Sequence, residues 1–220
     1  MTPRHHLDPA TVVSHAAGAL SPEMSAIVAT HLESCALCRS TVAQADSIGG
    51  VLIRQQQPPP STRHAQLRAS ILERLDEVRP RAMADARAAE PRDPDRLPAA
   101  LRPYFGPSYS ALKWRWMGPG MHFIRTTGPS GGTMLMLRIG PGKRMPVHGH
   151  HGAELTQILR GAYDDELGHF AAGDVADLDA ETEHQPVTSA GAPCICVSAL
   201  DAPLRFPGWL ARTLQPAFGI

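Results

Sequence analysis

Two groups of residues in this chain have the types and spacing to hold metal ions. The first is the run His31-Leu-Glu-Ser-Cys35-Ala-Leu-Cys38, which contains two of only four cysteines in 220 residues. On helical geometry, steps of four and seven residues return His31, Cys35 and Cys38 to one face, where their donor atoms can converge. The spacing is half of a structural zinc site, and zinc takes four ligands, so a fourth must come from elsewhere in the chain.

The second group lies in residues 142–161, GKRMPVHGHHGAELTQILRG. On a strand, His148 and His150 are two apart and face the same way, and Glu154 can return on the next strand after the glycine turn. His184 can join them from a later strand. Three imidazoles and one carboxylate suit zinc, iron, manganese or nickel, so donor type alone does not choose the metal. His151 alternates away from this set and is expected to be exposed or supporting. His15, His64, His122 and His169 read as surface or packing residues.

The other two thiols, Cys194 and Cys196, share one face of an apolar strand. In a regular strand their Cα atoms stand about 6.5 Å apart, so a disulfide would distort the strand, whereas oxidation to a sulfenic acid or an adduct would not. They are candidate redox residues. The plainer reading is buried packing.

Elements of two different kinds must position these residues. From Leu7 to Val51 the pattern is helical: Asp8 before Pro9 and Ser21 before Pro22 are capping starts, and Met24, Ile27, Val28 and Leu32 repeat on one face. Pro58, Pro59 and Pro60 stop this bundle. Beyond them residues 61–79 form an amphipathic helix with Leu67, Ile71, Leu75 and Val78 on one stripe. Residues 81–103 are rich in Pro, Ala and charge and read as a linker. After it the period becomes two, with glycine turns, which predicts an antiparallel barrel or jelly roll. Trp114 and Trp116, on one face of an early strand, are expected to pack on that barrel. The predicted organisation is α + β, with a helical domain at 1–80, a linker at 81–103 and a β-barrel domain at 104–220.

Lys plus Arg and Asp plus Glu are equal at 21 each, so no basic field recommends nucleic acid or an anionic membrane as a direct partner. No apolar run reaches the length of a membrane span, and the first residues lack the apolar core of a signal peptide. A cytoplasmic location is expected, where paired cysteines favour metal binding over disulfides.

Gly142, His148, His150, Glu154 and Gly161 match every fixed position of the first cupin motif, and Gly168, Gly173 and His184 match part of the second, without its usual proline and asparagine. Together with His31, Cys35 and Cys38, they make the whole chain resemble the ChrR family of zinc-binding anti-sigma factors with a C-terminal cupin domain. The resemblance implies zinc in the N-terminal site, with His6 as the fourth ligand and His5 as the neighbour able to replace it. It implies Zn2+ or another divalent metal in the cupin site. It also implies a 1:1 complex with a sigma factor of the extracytoplasmic-function type, gripped in part by the helix at 61–79, and release on an oxidative signal such as singlet oxygen or an organic hydroperoxide. On this reading the chain is a regulator and not an enzyme. The alternative is a metal-dependent cupin enzyme, a dioxygenase or isomerase, with a zinc-binding N-terminal module.

Overall fold

The computed structural model describes residues 2–57, 62–77 and 93–207. Four helices come first: α1 (Pro9–Ala16), α2 (Pro22–Ser34), α3 (Ala36–Gln55) and α4 (Thr62–Glu77). Two of them start on the expected caps. The Asp8 carboxylate accepts the Ala10 N–H at 2.7 Å and the Ser21 hydroxyl accepts the Met24 N–H at 3.2 Å, and each is followed by proline.

After a short 3-10 turn at Ala99–Leu101 and a single helical turn, α5 (Arg102–Phe105), the chain becomes antiparallel sheet. The strands are β1 (Arg115–Gly118), β2 (Met121–Thr127), β3 (Thr133–Ile139), β4 (His148–His150), β5 (Glu154–Arg160), β6 (Ala162–Asp165), β7 (Gly168–Ala171), β8 (Val175–Leu178), β9 (Glu183–His184), β10 (Val187–Thr188), β11 (Cys194–Leu200) and β12 (Leu204–Arg205). They form a six-stranded sheet ordered β1-β2-β3-β11-β5-β8 and two three-stranded sheets, β10-β6-β7 and β12-β4-β9. The turn between β5 and β6 requires glycine: at Gly161 φ is +72°, and a Cβ there would lie 2.5 Å from the Pro193 carbonyl oxygen.

The six-stranded sheet is covered on both faces, which explains the near-continuous apolar run of β3. Leu135, Leu137, Ile158 and Phe170 fill the barrel interior. Met134, Met136, Leu155, Val197 and Ala199 face the other way and form one core with Ile27 and Val28 of α2 and with Leu97, Leu101 and Phe105. Ile27 and Val28 are fully buried, and each such side chain contributes roughly 1.5–3 kcal/mol.

Three expectations change here. The apolar stripe of α2 docks on β5 and β11 of the barrel and on the turn at Ala99–Leu101, so it does not close a helical bundle on its own. The end of the expected linker, residues 93–103, is built into that interface, because Leu97 and Leu101 are buried in it. Trp116 is 68% exposed on β1, and only Trp114 packs on the core. The rest of the expected linker, residues 81–92, lies outside the described residues.

Candidate metal centres

Helical spacing would put His31, Cys35 and Cys38 on one face only if a single helix ran through them, and the segment is two helices. The helix breaks at Cys35, whose extended backbone (φ −103°, ψ 104°) ends α2 and caps α3, its Sγ accepting the Cys38 N–H at 3.4 Å. His31 therefore stands on the last turn of α2 and Cys38 on the first turn of α3. The helix N-terminus favours negative charge on these sulfurs.

The N-terminal arm brings in His6, whose Nδ1 lies 3.2 Å from Cys35 Sγ and 3.7 Å from Cys38 Sγ. His31 Nε2 lies 3.3 Å from Cys38 Sγ. Donor atoms of His6, His31, Cys35 and Cys38 all fall within 4.8 Å of one another. Bonds of about 2.0 Å to nitrogen and about 2.3 Å to sulfur, arranged tetrahedrally, put ligand atoms about 3.5 Å apart, so the cluster has the dimensions of a zinc site.

His5 is used differently. Its ring stacks on Phe170 at 3.9 Å, and its Nε2 is 3.1 Å from the His169 carbonyl oxygen. Burial pushes the Cys38 thiol up to about 11 and lowers His31 below its ordinary value. The imidazole is thus the neutral ligand form, while the thiol loses its proton to solvent at neutral pH only when a cation takes the proton's place on sulfur.

In the barrel, β4 pairs with β9 so that His148 and His184 are direct partners. His148 Nδ1 is 2.9 Å from the Pro146 carbonyl oxygen, and His184 Nδ1 is 2.8 Å from the carboxylate of Asp165, a side chain with no exposure. Both partners are acceptors, so both Nδ1 atoms carry protons and both Nε2 atoms carry lone pairs. Those two Nε2 atoms face each other at 3.1 Å. Two lone pairs at that distance repel unless a cation or a proton lies between them.

His150 is 2% exposed and neither ring nitrogen has a hydrogen-bond partner. Glu154 Oε2 is 2.9 Å from its Nδ1, but the pair is not aligned as a hydrogen bond. An imidazole buried in this way costs about 1–3 kcal/mol if nothing ligates it. The imidazoles of His148, His150 and His184 satisfy the 4.8 Å condition together, and Glu154 borders them through His150. Burial alone would raise the Glu154 carboxyl, but His150, His148 and the Thr156 hydroxyl, 2.5 Å away, bring it down to about 2. The donor set fits a divalent cation. His151 is exposed.

The cluster opens on a barrel cavity of about 240 Å³ whose walls include Met117, Met121, Met145, Cys194 and Cys196. Both cysteines are buried and free. A hydrogen bond from Cys196 lowers Cys194, and the same contact, together with burial, raises Cys196.

On α4, Leu67 and Ile71 are 47% and 53% exposed, so this part of the stripe does not dock on the helices it follows. The side chain of Leu75 and the whole of Val78 lie outside the described residues.

Sequence spacing does not reveal that Asp165 and Gln157 contact histidines of the two clusters, because neither is a fixed position of a motif, and although Gly173 matches the second cupin motif, nothing in that motif says that its carbonyl meets His31. A carboxylate three strands before His184 is the only available hint for Asp165.

A family model described as the ChrR cupin-like domain matches residues 107–202. The anti-sigma-E factor ChrR of Cereibacter sphaeroides is 40% identical over 222 residues, spanning the whole of both chains. The chain belongs to the ChrR family of anti-sigma factors. Its fold also matches a chain from the crystal structure of Rhodobacter sphaeroides SigE in complex with the anti-sigma ChrR, with a TM-score of 0.72 and 33% identity over 91% of this chain and 100% of that one. Membership makes the chain a regulator rather than an enzyme and sets aside the dioxygenase or isomerase reading. Among the described residues no helix is long and apolar enough to cross a membrane.

Proposed function

We propose that the chain sequesters a sigma factor of the extracytoplasmic-function type in the cytoplasm, as a 1:1 complex, and releases it when the cupin domain meets an oxidative signal. The observation that carries this reading is the uncovered apolar surface of the helices. Ile48, Leu52 and Ile53 on α3 and Leu67, Ile71 and Leu72 on α4 are about half exposed or more. A monomer rarely leaves so many large apolar side chains on two helices in water without a partner. The relative solved with SigE supplies the class of that partner.

His6 Nδ1, His31 Nε2 and the sulfurs of Cys35 and Cys38 would hold zinc, which supplies a cross-link between the chain start and the α2–α3 junction. His148, His150 and His184, with Glu154 beside them, would hold zinc or another divalent cation at the floor of the cavity. Cys194, the more acidic thiol, is suited to attack the terminal oxygen of a hydroperoxide. Its sulfur keeps that OH as sulfenic acid, and the departing alkoxide takes a proton to become the alcohol. Oxidation there, or a change at the metal, would favour a form of the chain with lower affinity for the sigma factor; a hundredfold weakening corresponds to about 2.7 kcal/mol of coupling.

The test is copurification of the full-length chain from its native host. An extracytoplasmic-function sigma factor should be recovered with it in equal amount and should leave after treatment with an organic hydroperoxide. Recovery of the chain alone from untreated cells would contradict the reading.

A further inference from the structure

The ring nitrogen of His31 that points away from the thiols is held by the barrel. Nδ1 lies 3.0 Å from the carbonyl oxygen of Gly173 and 3.2 Å from Oε1 of Gln157. Both are acceptors, so Nδ1 carries the proton and leaves the Nε2 lone pair aimed at the cluster. Gln157 is 2% exposed, and its own amide donates to the Ile158 carbonyl at 3.1 Å, which turns its oxygen toward His31.

The arm that carries His6 is tied to the same edge. The Asp174 carboxylate accepts the Arg4 and His5 amides at 2.5 and 3.0 Å, and the Asp177 carboxylate accepts the Asp8 amide at 2.9 Å. The two histidines of the N-terminal cluster are therefore set by the barrel, and the two cysteines by the α2–α3 junction.

We propose that Gln157 and the Gly173 carbonyl are positioning groups for the N-terminal metal, and that β5 links the two metal centres. Glu154 and Gln157 are three residues apart on this strand, so they face opposite sides of it, about 10 Å apart along the chain. One faces the cavity cluster and the other His31. A movement of β5 caused by a change beside Glu154 shifts the acceptor that orients His31. Loss of such an orienting partner costs a metal site about 10- to 100-fold in affinity. The idea deepens the anti-sigma reading by naming a route from sensing fold to zinc cluster, but its geometry does not depend on a sigma factor.

The test uses full-length protein loaded with zinc, or with cobalt, whose thiolate charge-transfer bands report on the cluster containing Cys35 and Cys38. Gln157→Leu should lose zinc to a chelator ten- to a hundredfold faster and shift the cobalt bands. Gln157→Glu keeps an acceptor and should restore both. Glu154→Gln, on the opposite face of β5, should also speed zinc loss from the N-terminal cluster.

A Gln157→Leu protein with wild-type release and bands would overturn the positioning role, as would a Gln157→Glu protein that behaves like the leucine variant. Unchanged release in Glu154→Gln would overturn the link along β5. Should Gln157→Leu fail to fold, nitrogen NMR of the unsubstituted zinc protein decides the matter. The His31 Nδ1–H should exchange slowly and couple to the Gly173 carbonyl, and rapid exchange with solvent would overturn the assignment. None of these readouts involves a sigma factor, so failure of the inference and failure of the anti-sigma reading are told apart.

Discussion

Glu23 and Ser130 are 107 residues apart in sequence, yet the Glu23 carboxylate accepts the Ser130 hydroxyl at 2.5 Å and its backbone N–H at 3.2 Å. Glu23 is 1% exposed on the first turn of α2, and it fills the turn between β2 and β3, the sequence GPSGG. A Cβ at Gly128 would come within 1.8 Å of the Glu23 Oε1 atom, so the turn can accept the carboxylate only without that side chain. The contact fastens the start of α2 to the barrel some distance from His31, which is fastened at the other end of the same helix. A helix held at both ends moves with the sheet beneath it.

Glu23→Ala should destabilise the folded chain by about 1.5–3 kcal/mol, the usual range for a hydrogen bond to a charged group. Gly128→Ala should produce a loss of similar size, because the methyl group evicts the same carboxylate. Chemical denaturation of both variants against the parent chain gives the comparison, and parental stability in both would show that the contact is not a fastening.

Burial alone would raise the Glu23 carboxyl, but its hydrogen bonds from Ser130 outweigh this and hold it below the ordinary glutamate value. A carboxyl lowered by folding contributes stability that is present above the unfolded value, near 4.3, and is lost as pH falls through the folded one. The difference in stability between the parent chain and Glu23→Gln should therefore be constant above about pH 5 and shrink in more acid solution. A difference that grew as pH fell would reverse the assignment.

Cys38→Ser, or Cys35→Ser, should remove the N-terminal metal and leave the barrel metal bound. Structural zinc supplies about 10–16 kcal/mol of apparent binding energy in small domains, so the first three helices should lose much of their thermal stability. Metal analysis with helical circular dichroism checks this. A variant that kept two metals and the parental melt would contradict the cluster.

Asp165→Asn should weaken the barrel metal about 10- to 100-fold, because the carboxylate fixes the His184 ring with Nε2 toward the cluster. Competition with a chelator measures it, and equal affinity in variant and parent would mean that His184 needs no orienting partner.

The barrel cluster is legible in a two-residue step on β4, and the N-terminal one in the residue types of the run from His31 to Cys38, although a break at Cys35 and not helical periodicity brings those side chains together. Glu154 and His184 follow from the cupin motif. What spacing does not contain is the choice between adjacent residues and the identity of a distant partner. His5 and His6 are neighbours, and they are separated by Phe170, His169 and the thiols, which lie far away in sequence. The stripe of Ile27 and Val28 shows that α2 has an apolar face, but not that Met136 and Val197 of the barrel cover it. The break at Cys35 likewise has no glycine or proline to announce it. Leu97 and Leu101 are two apolar residues in a Pro- and Arg-rich stretch, too few for a periodic signal although both are buried.

Inhibition through the helices and sensing through the barrel are tested most directly by transcription with purified polymerase and the cognate sigma factor. Full-length chain should block transcription at one equivalent and lose the block on addition of an organic hydroperoxide. His148→Ala should block equally well but release poorly, whereas Cys38→Ser should fail to block. If His148→Ala released normally, or if Cys38→Ser inhibited like the parent chain, inhibition and sensing would not be divided between these two metal centres.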